Sequence, residues 1–133
     1  MSKKVKILLV DDHRTVQRLL EAIVRIRGYE LIYAENGQTG INMARQEKPD
    51  LILLDVMMPE LDGFKVCQYL KEDAATRDIP VLFLTARGAE GDLETGRKVG
   101  ADGFMTKPFQ TIEVLNTIGR LLAERKSAGK DDQ

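Results

Sequence analysis

The sequence predicts an α/β domain in which a five-stranded parallel sheet is covered by helices on both faces. Three observations carry this. Short apolar runs alternate with stretches of helical periodicity, five of each; the connections are short; and no internal repeat or low-complexity tract breaks the order. A strand buried on both faces reads as a continuous apolar run. Right-handed crossovers then give a doubly wound (βα)5 sheet.

The first strand is the β-branched run Val5 to Val10, which stops at Asp11 and Asp12. Helical spacing follows: Val16, Leu19, Leu20, Ile23 and Val24 repeat on one face, Arg14, Gln17, Arg18, Glu21 and Arg25 fill the other, and Gly28 ends the segment. A short second strand, Glu30 to Ala34, precedes Asn36 and Gly37. Ile41 and Ala44 then mark a second helix that stops before Pro49. Leu51 to Leu54 is the third strand, and Asp55 follows it directly. Pro59 and Gly63 turn the chain, Asp62 is placed to start the next helix, and Phe64, Cys67 and Leu70 share a face of that helix, which makes Cys67 a core residue.

Pro80 opens a fourth strand, Val81 to Leu84, ending at Thr85 and Ala86. Between Asp92 and Val99 apolar positions are few, chiefly Leu93 and Val99, so the fourth helix is expected to dock loosely. Residues 102–106 form a short fifth strand before Lys107 and Pro108. The last helix carries Ile112, Leu115, Ile118 and Leu122 on its apolar face, with a polar, frayed tail expected from Ala123 onward. Arg120, Arg125, Lys126 and Lys130 are read as a solvated helix end.

Composition narrows the function classes. A chain of 133 residues with 43% hydrophobic content fits one domain, read as 1–124 with a tail at 125–133. Twenty basic residues against 21 acidic ones leave a net charge of −1, with no excess to attract nucleic acid or anionic lipid. No apolar run approaches the ~18 residues of a membrane span, and a cytoplasmic protein is expected. One cysteine, Cys67, forbids an internal disulfide. One histidine, His13, leaves too few soft ligands for zinc or iron–sulfur chemistry, so any metal should prefer oxygen.

In a doubly wound sheet, ligands bind beyond the carboxyl ends of the strands, beside the point where strand order reverses. Asp11, Asp12, Asp55, Thr85 and Lys107 all stand at such ends. If the first and third strands are neighbours, three carboxylates converge, a repulsive arrangement that a hard divalent cation relieves; Mg²⁺, or Mn²⁺ in its place, accepts such oxygen ligands. Lys107 and Thr85 beside that site form a phosphoryl-binding set, and a carboxylate can itself accept a phosphoryl group. Taken singly, each residue has a plainer reading. Asp55 alone would be a turn or helix cap, Asp11 and Asp12 could cap the first helix, Thr85 is an ordinary strand end, and Lys107 a solvated charge. His13 reads as solvent-facing.

The motifs VDD at 10–12, LLDVMMPELDG at 53–63, LTA at 84–86 and KPF at 107–109 make the chain resemble the receiver domain of two-component response regulators, over about residues 4–124. The resemblance implies a sheet order of 2-1-3-4-5 in a flavodoxin-like fold. It implies that Asp55 is the phosphoacceptor and that Asp11, Asp12 and Asp55 bind Mg²⁺ with the backbone carbonyl of Met57. Thr85 and Lys107 contact the phosphoryl oxygens, Thr85 and Phe104 switch on activation, and the Lys107–Pro108 bond is cis. Phe104 lacks the hydroxyl of a tyrosine at that position, which leaves switching by burial but no hydrogen-bonded readout. Met57 and Arg87, the positions that tune phosphate lifetime, are neither carboxylate nor amide, so slow self-dephosphorylation is expected.

The function that follows is a phosphorylation switch, not an enzyme with a turnover substrate. A histidine kinase or histidine phosphotransfer protein would donate the phosphoryl group, and a downstream protein would read the surface of the fourth helix, fifth strand and fifth helix. The 11 residues from Ala123 to Gln133 leave no room for a DNA-binding or catalytic module, so a single-domain regulator, monomeric or weakly dimeric on phosphorylation, is expected. Three other readings stand beside it: a receiver cut from a larger regulator or hybrid kinase, a receiver-like module that is never phosphorylated, and a metal-dependent phosphatase with an aspartyl-phosphate intermediate. The last would place a second Asp two residues after the nucleophile, where this chain has Met57.

Overall fold

A computed structural model describes residues 4–57, 62–86 and 90–131 of the protein. Ten elements alternate: β1 (Lys6–Val10), α1 (Arg14–Arg25), β2 (Glu30–Ala34), α2 (Gly37–Glu47), β3 (Leu51–Asp55), α3 (Gly63–Glu72), β4 (Val81–Thr85), α4 (Glu90–Lys98), β5 (Gly103–Thr106) and α5 (Thr111–Asp131). All strand pairs are parallel, in the order β2-β1-β3-β4-β5. The order reverses between β1 and β3, so the crevice lies beyond Val10 and Asp55.

Side-chain alternation along the strands builds two cores. Ile7, Leu9, Leu51, Leu53, Leu82, Leu84 and Met105 face α1 and α5, where Leu20, Ile23, Val24, Leu115 and Ile118 meet them. Leu8, Val10, Ile52, Leu54, Val81 and Phe83 face the other way, onto Ile41, Ala44, Val66, Cys67 and Leu70 of α2 and α3. Cys67 is fully buried, and its thiol is pushed up to about 11 by burial. Local signals act as the sequence suggests: Asn36 caps α2 by accepting from the Thr39 amide at 2.9 Å, Asp62 caps α3 through the Phe64 amide at 2.8 Å, and Gly28 follows α1 with φ +73°.

Four expectations need correction. α1 is rotated relative to its apolar periodicity: Leu19 is 43% exposed while Gln17 is buried, because Gln17 Nε2 donates to the Asp11 carbonyl at 2.9 Å where β1 ends. Ile112 is 73% exposed, and the buried face of α5 is Val114, Leu115, Ile118 and Leu121. The helix does not fray at Ala123 but runs to Asp131. Ala123, Glu124, Arg125 and Lys126 are strong helix formers that carry the helix past Ala123, and an Arg120–Glu124 pair at 3.6 Å supports it. Arg125 is not a solvated helix end; its guanidinium donates to the Asp50 carbonyl at 3.0 Å and ties the helix to the start of β3.

Candidate functional site

Asp11 and Asp55 arrive at the crevice for the same reason. Each terminates or follows an apolar strand whose last ladder bonds carry it inside: the Asp11 amide donates to Ala34 O at 3.0 Å, and the Val56 amide after Asp55 donates to Leu84 O at 3.3 Å. Asp11 is wholly buried and Asp55 is 2% exposed, whereas Asp12 opens to solvent. Asp55 is the last residue of β3 and pairs with Leu84, one residue deeper than a reading that ends the strand at Leu54. Behind it, Gly63 holds the start of α3 against the strand exit. A Cβ there would come within 2.9 Å of Val56 Cα and press on the Asp55 carbonyl, so only glycine permits this approach.

The carboxylates are incompletely satisfied. Asp55 Oδ1 accepts the Met57 amide at 3.0 Å, and Asp11 Oδ1 accepts both the backbone amide of His13 and its ring Nδ1 at 2.8 Å. Among the described residues, Asp11 Oδ2 and Asp55 Oδ2 are buried with no hydrogen-bond partner. Lys107 Nζ stands 3.8 Å from each of these two oxygens, too far to hydrogen-bond but close enough to attract. Burial pushes the Asp55 carboxyl above the usual carboxylate range. The Asp11 charge adds to this, while the Met57 amide, Lys107 and His13 oppose it.

His13 faces solvent at the start of α1 as read, and it also belongs to this cluster. The ring is 58% exposed, yet Nδ1 lies 3.3 Å from Asp12 Oδ1 and 3.7 Å from Asp55 Oδ2 as well as against Asp11. Its hydrogen bond to Asp11 and the Asp11 charge raise its pKa. The signal was present in the sequence as adjacency, a titratable ring directly after two strand-end carboxylates. Helix capping by Asp11 or Asp12 is not what the geometry shows: His13 is the N-cap of α1 and no side chain caps it.

One potential ligand atom from each of Asp11, Asp12, His13 and Asp55 falls within a mutual 4.8 Å. Buried carboxylate oxygens that find no donor among the described residues, with the Lys107 ammonium nearby, suit a hard cation of the Mg²⁺ type. Thr85 stands beside this group without joining it. Its buried hydroxyl donates to Met105 O at 3.5 Å, across to β5. Phe104 lies farther off, half-buried and stacked on Phe83 with ring centroids 6.0 Å apart. The side chain of Met57 is 74% exposed, and the Lys107–Pro108 bond is cis. Arg87 and Pro59 lie outside the described residues. Among the described residues, no helix is long and apolar enough to cross a membrane.

Comparison with known proteins places this geometry. The family model for the response regulator receiver domain matches residues 7–119. The chain is 42% identical over 118 residues to the protein PilH of Pseudomonas aeruginosa, covering 89% of this chain and 98% of that one. It is 45% identical over 113 residues to the probable transcriptional regulator ycf27 of Porphyra purpurea, covering 85% of this chain but 45% of that one. The chain thus spans about half the length of several curated relatives it matches. Among solved structures, the receiver domain of a sensor histidine kinase from the same Pseudomonas species superposes with a TM-score of 0.84. That pair is 29% identical over 91% of this chain and 99% of that one, and the domain holds a magnesium ion in its active-site cleft. Fold, motifs and family match agree, and the chain belongs to the response regulator receiver domain family.

Proposed function

We propose that this receiver accepts a phosphoryl group on Asp55 from a histidine kinase or phosphotransfer protein and passes the change to a downstream protein. The observation that carries the reading is the pair of buried, hydrogen-bond-free oxygens, Asp11 Oδ2 and Asp55 Oδ2, with Lys107 3.8 Å from both. Asp55 Oδ2 is the nucleophile. It attacks phosphorus as the phosphorus–nitrogen bond to the donor imidazole breaks, and the electron pair leaves on that nitrogen, which takes up a proton from solvent. Asp11, Asp12 and Asp55 would hold Mg²⁺, which when bound neutralises charge on the phosphoryl oxygens. Lys107, already 3.8 Å from Asp11 Oδ2 and Asp55 Oδ2, pairs with a phosphoryl oxygen once Asp55 is phosphorylated to the acyl phosphate. The Thr85 hydroxyl exchanges its long bond to Met105 O for another phosphoryl oxygen, which loosens β4 from β5 at that point.

The protein catalyses only its own phosphorylation and dephosphorylation. Slow loss of the phosphoryl group is supported by the exposed thioether of Met57, which cannot orient an attacking water; a half-life of seconds without a phosphatase would contradict it. The match with nearly all of PilH favours a single-domain regulator. The test of the main reading is incubation with acetyl phosphate and Mg²⁺, followed by intact mass measurement and hydroxylamine treatment. One hydroxylamine-labile adduct, absent from Asp55→Asn, is expected. A resistant adduct, or one that survives Asp55→Asn, overturns the assignment.

A further inference from the structure

The helix that borders the site has an unusual means of attachment. Among the described side chains of α4, residues 93–98, only Gly96 is buried, and no large apolar side chain of that stretch enters the core. Gly96 instead sits directly over the rings of Phe104 and Phe83. A Cβ at Gly96 would lie 2.5 Å from Phe104 Cε1, 2.7 Å from Phe104 Cζ and 3.2 Å from Phe83 Cδ2. Phe83 is fully buried, pairs in register with Phe104, and packs in turn on Phe64 of α3 with centroids 5.2 Å apart. The rings of three elements therefore form one cluster, Phe104 stacked on Phe83 and Phe64 tilted 58° to it, and Gly96 brings α4 down onto this cluster.

We propose that Gly96 is a positioning residue that admits the Phe104 ring beneath α4 and so couples the seating of that helix to the state of Asp55. This rests on the phosphoacceptor reading. The link runs through Met105, whose carbonyl accepts the Thr85 hydroxyl and whose neighbour is Phe104. When Thr85 turns to the phosphoryl group, β5 keeps its backbone ladder to β4 but loses the side-chain tie at Met105, and Phe104 beside it is free to shift under Gly96, moving the helix that lies on it. A methyl group at position 96 overfills the slot. Phe83 is enclosed on every side and cannot yield, whereas Phe104 is half-buried and can rotate outward, so the ring is displaced and the helix loses its dependence on Asp55.

Two measurements test this. In a thermal cycle, Gly96→Ala lowers the melting temperature of the wild type, and that loss is at least halved when Phe104→Ala has emptied the slot. An equal loss in both backgrounds overturns the inference. Should Gly96→Ala alone not fold, recovery of a folded protein in the Gly96→Ala/Phe104→Ala double variant supports the slot, and failure to recover contradicts it. In the second measurement, proteins carrying ¹³C-ring phenylalanine are examined by NMR with and without acetyl phosphate and Mg²⁺, phosphorylation being read by intact mass on the same samples. The Phe104 signals, assigned by their loss in Phe104→Leu, shift on phosphorylation in the wild type. In Gly96→Ala they are displaced at the outset and no longer respond, although the mass increase is unchanged. A response equal to that of the wild type overturns the coupling. No mass increase in the wild type contradicts the phosphoacceptor reading and removes the coupling with it, while the thermal cycle decides the slot in either event.

Discussion

The two ends of the sheet treat their carboxylates in opposite ways. At the amino ends of the strands Asp50 and Asp102 are both answered. Asp50 Oδ2 accepts the Lys6 amide at 2.8 Å, and Asp102 Oδ2 accepts both the Val81 amide at 2.8 Å and Lys71 Nζ at 2.9 Å. Lys71 also donates to the carbonyls of Arg77 and Ile79, so one ammonium fastens the end of α3, the approach to β4 and the entry to β5. At the carboxyl ends, Asp11 and Asp55 are buried more deeply, yet each keeps an oxygen without a donor. A strand-end acid alone is therefore no mark of a site in this fold, since Asp50 and Asp102 stand at strand ends, half-exposed and bonded. An unsatisfied one is, because native structures leave few such groups and each stores a desolvation cost that a ligand can relieve.

The contrast can be broken from either side. The largest expected effect is at the amino end: Lys71→Met leaves two carbonyls and Asp102 without their shared donor, and should lower stability by about 2–3 kcal/mol in chemical denaturation. A loss below half a kcal/mol would mean that solvent replaces the ammonium freely and that this end is not held as described. At the carboxyl end the sign reverses. Asp55→Asn in metal-free protein removes one of the repelling charges and is expected to stabilise by an amount on the order of 1 kcal/mol; an unchanged or lower melting temperature would count against the crowded-carboxylate geometry.

The smallest effect concerns His13. Its pKa is raised in the folded protein by the hydrogen bond to Asp11 and by the Asp11 charge. A raised folded value means that its stabilisation is fully present below 6.5, the ordinary histidine value, and is lost as pH rises through the folded value. Without Mg²⁺, the melting difference between wild type and His13→Asn should thus be largest at the acid side of that window and vanish on the alkaline side. A difference that does not change with pH would remove His13 from the carboxylate cluster.

How much of this was legible in the sequence follows from which forces act locally. The strands were readable to within a residue or so, since buried parallel strands announce themselves as unbroken apolar runs; β2 is found at Glu30–Ala34 as read. Asp55 as the end of β3, not the residue after it, was not readable, because a charged residue ends an apolar pattern even when its backbone remains in the ladder. The rotation of α1 escaped for a related reason. Periodicity counts Gln17 as polar and Leu19 as apolar, but a carbonyl left over at the end of β1 recruits the glutamine. At the site, residue types and strand-end positions brought Asp11, Asp12, Asp55 and Lys107 together before any coordinates. The hydrogen bond that turns Thr85 toward Met105, the pinning of His13 and the glycine slot over Phe104 depend on side-chain orientation, which no spacing rule encodes.

If the crowded carboxylates of Asp11, Asp12 and Asp55 hold a hard cation, a Mg²⁺ titration of thermal stability in wild type and Asp55→Asn reads it out. A ligand that binds only the folded state at ten times its dissociation constant adds about 1.4 kcal/mol. Asp55→Asn is expected to melt higher than wild type without Mg²⁺, and saturating Mg²⁺ to stabilise the wild type more than the variant, narrowing or reversing the gap. Mg²⁺ that leaves the wild type unmoved, or raises both proteins equally, would contradict it.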